Sequence, residues 1–283
     1  MKLYYSTYGM KKLDIFKVLP RLKDMGYEGI EIAVTPGWPT EPAAMDQGAS
    51  KRLADMLRQI DWPTPPLMAL LSPCAEGEDR PAALAQFRAT FEMSREFRLD
   101  DNPMVISTTL GGHPPWESGK ERIVELVLEV ADIAAEYDAL VAIEPHAGDD
   151  FETPEKAAWL MEQTNHPHLG LNFDYSHFVV EGIDLQHSID LNLKYSIHNH
   201  IKDGYLDKEG KVRYQLPGDG TLDLSVYFKA MQDAGWDRYI CPEVTGQIWN
   251  VGSYDAWSTA QFCYEALAKA RASLGYMQTA HIS

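Results

Sequence analysis

Basic residues are scarce in this sequence. The 283 residues include 25 Lys and Arg against 42 Asp and Glu, a formal net charge of −17, and the few cations form no cluster. Nucleic-acid binding draws its affinity largely from neutralising phosphates, so such a field counts against DNA, RNA and anionic membranes as partners. Cysteine is scarcer still: Cys74, Cys241 and Cys263 are widely spaced and odd in number, which fits neither a disulfide framework nor a CxxC metal knuckle. They are expected to be reduced. No apolar run approaches the ~20 residues needed to cross a bilayer. The start, Met1-Lys-Leu-Tyr-Tyr-Ser-Thr-Tyr, lacks the basic leader, apolar stretch and small-residue cleavage site of a secretory signal. A cytoplasmic protein is expected. Low-complexity linkers are also absent, and residues 1–283 read as one domain.

The composition, 45% hydrophobic and 24% charged, is that of a chain with a sizeable core. Strand patterns fall at residues 2–6, 29–34, 66–72, 104–109, 140–144, 169–174, 195–202 and 239–243. Helical periodicity occupies 14–25, 50–59, 81–97, 119–137, 153–164, 185–192, 224–234 and 254–274. Eight strands alternating with eight helices predict an α/β fold with a parallel sheet, and eight units suit a single (β/α)8 TIM barrel. The first βα turn has no GxGxxG, which counts against a dinucleotide fold. Residues 203–222, rich in Gly and charge, form the longest irregular stretch. They follow the seventh strand, on the face that carries the chemistry in such barrels.

Glu144, Asp174, His200 and Glu243 sit at or beside the C-terminal ends of strands five to eight, roughly one βα repeat apart. The alternative for each carboxylate is a helix cap. Four consecutive strands aiming such groups at one mouth predict instead a metal site. Three carboxylates with one imidazole suit a hard divalent ion, Mn²⁺ first, with Mg²⁺, Co²⁺ or Zn²⁺ after it.

Several segments, in this order along the chain, resemble the sugar phosphate isomerase/epimerase superfamily, the xylose isomerase-like barrels: GYEGIEI (26–32), IEPH (143–146), LGLNFDYSH (169–177), IHNHIKD (197–203), LPGDGTLD (216–223) and ICPE (240–243). That group includes keto-sugar 3-epimerases, hydroxypyruvate isomerase, inosose dehydratase and endonuclease IV. The resemblance implies metal ligation by Glu144, Asp174, His200 and Glu243, the set that the spacing singles out.

Around these four, His146 shares strand parity with Glu144 and is a candidate base, acid or substrate ligand. His177 matches an epimerase histidine that contacts the substrate carbonyl or hydroxyl. Lys202 shares parity with His200 and reaches toward the mouth to bind an oxyanion. His198 reads as a packed histidine. The epimerases place an arginine soon after the metal-binding histidine, whereas here Tyr205 and Leu206 stand there and Arg213 is the loop's one arginine. His113 and Trp116 follow strand four and, with Trp38 and Trp249, are candidates to meet a sugar ring, each against the alternative of packing. Little clusters to hold a phosphate, which favours a neutral keto-sugar or polyol as the small-molecule partner. Assembly with further copies or an accessory subunit stays open.

The leading expectation is an isomerase or epimerase in which Glu144 and Glu243 exchange a proton next to a carbonyl, through a metal-held enediolate, with His177 polarising the carbonyl. The second is a lyase or dehydratase acting on a keto-polyol or 3-keto-glycoside by β-elimination, C-glycosides included, with His146 as base or acid. Endonuclease IV-like DNA repair is a third and is opposed by the charge.

Overall fold

A computed structural model describes residues 1–280. Ten strands run in chain order: β1 Lys2–Leu3, β2 Ile32–Ala33, β3 Leu67–Met68, β4 Met104–Thr109, β5 Ala139–Glu144, β6 Leu169–Asp174, β7 Ser196–His200, β8 Asp203–Leu206, β9 Val212–Gln215 and β10 Tyr239–Ile240. The α-helices are α1 Ile15–Met25, α2 Gln47–Gln59, α3 Arg80–Ser94, α4 Trp116–Glu136, α5 Pro154–Thr164, α6 Tyr175–Val179, α7 Leu185–Asn192, α8 Leu224–Asp233, α9 Gly246–Trp249 and α10 Ala256–Ala280.

β2 to β7 form a parallel sheet in sequence order, and β1 pairs in parallel with β10. Two parallel bridges, Ser6 with Glu31 and Ile201 with Pro242, join the pair to the sheet at both edges and close the ring. Backbone N–H groups of Glu31 and Glu243 donate across these seams to Tyr5 O (2.9 Å) and Ile201 O (3.1 Å). The expected eight-stranded TIM barrel is therefore present.

The differences from the expected elements have local causes. β1, β2, β3 and β10 pair over two residues each. Pro66 and Pro242 have no N–H to give to a ladder, and Thr7 and Thr35 hydroxyls accept from Ala33 and Leu70 N–H in place of a backbone partner. Helix α4 starts earlier than expected, at Trp116, because the Asp150 carboxylate accepts from the Trp116 N–H (2.5 Å). The stretch 203–222 is not irregular throughout: β8 and β9 form an antiparallel hairpin. Its turn is built by Asp207 Oδ1, which accepts from the Glu209 and Lys211 N–H groups (3.0 and 2.9 Å).

Asp14, Asp46, Thr153, Asp184 and Asp223 cap helix N-termini with their side chains. The three cysteines are buried free thiols, and no described helix is long and apolar enough to cross a membrane.

Gly26 ends α1 in the left-handed region (φ 104°), and its N–H bonds back to Lys23 O. A Cβ there would lie 2.3 Å from the Tyr264 hydroxyl. Gly26→Ala should cost about 1–2 kcal/mol from backbone strain alone, before the clash is relieved. A chemical denaturation midpoint equal to that of the unchanged chain would refute this account.

Candidate metal centre

The parallel ladder delivers three site residues together. Asp174 is directly opposite His200 in the β6–β7 register, and Glu144 ends β5. The Ile201–Pro242 bridge sets Glu243 beside β7. Glu144, Asp174, His200 and Glu243 are all buried, and each offers a ligand atom within 4.8 Å of the others. Asp174 also caps α6, but with its other oxygen: Oδ1 accepts from Ser176 N–H (2.9 Å) while Oδ2 faces the cluster. Capping therefore leaves Oδ2 available to the cluster.

Around the cluster, Asn172 Nδ2 donates to Glu144 Oε1 (3.1 Å), and His200 Nδ1 lies 3.2 Å from the same oxygen. On its other edge, His200 Nε2 is 2.9 Å from Glu31 Oε2. Lys202 Nζ donates to Glu243 Oε2 (2.5 Å) and to Asp174 Oδ2. Burial by itself would raise the Asp174 carboxyl, but the Lys202 ammonium and His200 hold it below the usual range. Burial disfavours an imidazolium at His200, yet the Glu31 and Glu144 carboxylates hold its pKa well above the ordinary histidine value.

The donor set fits a divalent cation: three carboxylates and one imidazole converge from consecutive strands. A further buried polar atom with no partner among the described residues, His177 Nε2, sits 3.9 Å from Glu144 Oε1 and 3.8 Å from Asp174 Oδ2.

A cleft of about 260 Å³ opens on this centre, with Tyr8, Thr109, Glu144, His146, Tyr214 and Glu243 in its wall. The His146 and His177 rings are 4.0 Å apart. His177 Nδ1 accepts from the Ala147 N–H (3.1 Å) and lies 2.9 Å from the Tyr214 hydroxyl. Its hydrogen is therefore on Nε2, the edge that faces the cluster. Burial and the nearby Lys202 charge lower the His177 pKa well below the usual value, so the ring is neutral. His146 Nδ1 is 3.0 Å from the Ala147 carbonyl. A carbonyl only accepts, so His146 carries its hydrogen on Nδ1 and keeps Nε2 as a basic nitrogen.

Other sequence candidates fall elsewhere. Lys202 is fully buried between two carboxylates rather than standing at the mouth as an open oxyanion site. Arg213 pairs with Asp207 (2.6 Å) and is half exposed. Because side chains alternate along a strand, its neighbour Tyr214 is the one that turns inward. His113 is pinned between Asp149 Oδ1 (2.7 Å) and Pro114 O (2.8 Å). Trp116 packs in the core against Phe151 and Trp159, not over the cleft. Trp38 stacks on Tyr8 at 4.9 Å and Trp249 meets the same ring edge-on at 5.8 Å, so both back the cleft through Tyr8. His198 is packed and bonded, as its position in the strand suggested.

Sequence reading missed Glu31, Asn172, Tyr8 and Tyr214. An acidic residue inside the apolar strand segment Gly-Ile-Glu-Ile is a signal that could have found Glu31, and parity with Asp174 a signal for Asn172. Tyr214 carries none, since its placement depends on a hairpin that folds back over the mouth.

A family model described as xylose isomerase-like TIM barrel matches residues 19–277. An inosose dehydratase of Geobacillus thermodenitrificans is 27% identical over 135 residues, 43% of this chain and 45% of that protein. An inosose isomerase of Bacillus subtilis is 27% identical over 136 residues, 45% and 48% of the two chains. The chain thus spans just under half the length of these curated relatives. A solved D-psicose 3-epimerase from Clostridium cellulolyticum H10 superposes with a TM-score of 0.77 over 96% of this chain and 98% of its own, at 17% identity, and so shares the fold.

Because His200 holds a proton that a cation must displace, metal affinity should rise with pH through and above the ordinary imidazole range. The slope should approach about tenfold per pH unit for one displaced proton. Calorimetric Mn²⁺ titrations across that range measure it, and an affinity independent of pH would contradict the assignment.

Proposed function

The chain belongs to the xylose isomerase-like TIM-barrel family, and from that premise we propose that it is a divalent-metal-dependent isomerase or epimerase acting on a keto-sugar or polyol. The observation that carries the reading is the grouping of Glu144, Glu243 and the free Nε2–H of His177 around one buried centre at the foot of the cleft. Glu144, Asp174, His200 and Glu243 would hold the ion, for which Mn²⁺ suits a donor set rich in oxygen. A bound divalent ion supplies Lewis acidity that lowers the cost of negative charge on neighbouring substrate oxygens.

The chain's own groups do the rest. Glu243 takes the proton from the carbon next to the carbonyl, and Glu144 returns one. His177 Nε2–H donates to the carbonyl oxygen as charge gathers there, a neutral imidazole used as an electrophile. Tyr214 holds His177 in place from the hairpin, and Tyr8 offers an aromatic face in the cleft wall. In the same reading the chain is a single domain that works on a small carbohydrate in the cytoplasm.

A second reading is a dehydratase or lyase acting on a keto-polyol or 3-keto-glycoside. It is favoured by His146, which lines the cleft outside the ligand set and keeps a basic Nε2. Elimination needs a proton delivered to the leaving group where epimerisation returns one to carbon, and His146, after taking a proton on Nε2, is placed in the cleft wall to carry it. Several relatives bear the name inosose dehydratase.

In Mn²⁺-loaded protein, Glu243→Gln should slow deuterium exchange from solvent at the carbon next to the carbonyl by at least about 10²-fold. Full exchange in that variant would sink the proton-transfer scheme. Product mass spectrometry separates the two readings: unchanged mass supports the isomerase, and loss of water or aglycone supports the lyase.

A further inference from the structure

One buried carboxylate has no part in the reaction proposed above. Glu31 lies inside the barrel and is 0% exposed. Its Oε2 is 2.9 Å from His200 Nε2, and its Oε1 is 2.8 Å from His198 Nε2 and 3.0 Å from Ser107 Oγ. Farther along, His198 Nδ1 is 2.7 Å from the Tyr239 hydroxyl.

A single arrangement of hydrogens satisfies this network. An ionised carboxylate only accepts, so Ser107 Oγ, His198 Nε2 and His200 Nε2 all donate to Glu31. His198 Nδ1 is then an acceptor and takes the Tyr239 O–H. His200 keeps a hydrogen on Nε2 and turns Nδ1 toward Glu144 and the cluster, so the proton that an incoming cation displaces is the one on Nδ1.

Glu31, His198 and His200 also bring ligand atoms within 4.8 Å of one another, which raises the alternative of a second cation there. Such an ion would need the Nε2 lone pairs of both histidines, and both nitrogens already face Glu31 at hydrogen-bonding distance. The network is complete without it.

We infer that Glu31 is the positioning residue of the metal centre, fixing the ring plane and hydrogen placement of His200 so that Nδ1 is the atom presented to the ion. This rests on the reading that Glu144, Asp174, His200 and Glu243 bind a divalent cation. A carboxylate on the far nitrogen of a ligating imidazole orients the ring, and its loss costs about 10–100-fold in metal affinity. Glutamine is no substitute at this position. Its amide offers one acceptor oxygen but points N–H groups at the other imidazole, so one histidine must move its hydrogen to Nδ1 or lose its contact. Where that histidine is His200, an N–H points into the centre in place of a lone pair.

The test is a calorimetric titration of the metal-free full chain with Mn²⁺ alone. Glu31→Gln should weaken binding about 10–100-fold at unchanged stoichiometry of one. Tyr239→Phe cuts the network at its far end but leaves the Glu31–His200 pair. It should keep affinity within about threefold while lowering the melting temperature. If Tyr239→Phe loses as much affinity as Glu31→Gln, Glu31 acts only as general scaffolding and the inference fails. Unchanged affinity in Glu31→Gln also overturns it, as does a wild-type stoichiometry of two that falls to one in the variant. A wild-type chain that takes up no Mn²⁺ overturns the metal reading itself, which separates the two failures.

A second measurement needs no variant. In Zn²⁺-loaded wild type, long-range ¹H–¹⁵N correlation should find the His200 hydrogen on Nε2. A hydrogen on Nδ1 would refute the inference.

Discussion

Charge taken out of water governs the mouth of this barrel. Glu31, Glu144, Asp174 and Glu243 are all buried within reach of one another's partners. A buried ionised group left unpaired costs several kcal/mol, a large fraction of the roughly 5–15 kcal/mol that holds a typical domain together. The chain answers each carboxylate with a donor. Lys202 serves Asp174 and Glu243, His200 stands between Glu31 and Glu144, and Asn172 gives a further hydrogen to Glu144. Lys202 and His200 are each shared, so displacing either leaves two carboxylates short of one partner. This sharing over-determines the positions of the site residues, and a cation entering the centre has to replace an existing balance rather than create one.

The backbone supports this arrangement unevenly. β4 and β5 pair over six residues, whereas β1, β2, β3 and β10 pair over two each. Glu144, Asp174 and His200 stand at the ends of the longer strands, and a register shift between Leu171 and Asn172 precedes the Asp174–His200 pair. Glu243 has no such ladder and takes its place from the single bridge between Ile201 and Pro242. The hairpin β8–β9 is tied down by Gln247, whose side chain accepts from Tyr214 N–H (3.1 Å) and donates to Val212 O (3.1 Å). Tyr214 reaches His177 because of that tie.

Legibility in the sequence follows the same division. Repeating βα periodicity and the spacing of Glu144, Asp174, His200 and Glu243 are local or regular features, and the barrel and the converging cluster can be read from them. Contacts made across the barrel cannot. Glu31 meets His200 from a strand far away in sequence, and nothing near Glu31 marks its partner. Arg213 and Tyr214 are neighbours, and which one faces inward depends on the register of a hairpin whose strands are short and half exposed. Trp116 looked like a loop residue because its helix is started by Asp150, which is 34 positions away in the chain. Lys202 has the expected parity, but its ammonium turns to buried carboxylates and not to the opening, since a fully buried cation left unpaired would be strongly destabilising.

Backbone contacts also decide what His146 in the cleft wall and the buried His177 beside it can do. Ala147 gives its N–H to His177 and receives the N–H of His146 on its carbonyl. One residue's backbone thereby fixes opposite hydrogen placements on two rings 4.0 Å apart. His177 is left with a donor toward the cluster and His146 with a lone pair. Proton abstraction next to a carbonyl and stabilisation of the resulting oxyanion need only the carboxylates and His177. An elimination departs from that same point by sending a proton to the leaving group and not back to carbon, and in the second reading proposed His146 in the cleft wall carries it. The two proposed chemistries would therefore share a first step on this scaffold. They part at His146, according to whether the substrate places a leaving group within its reach.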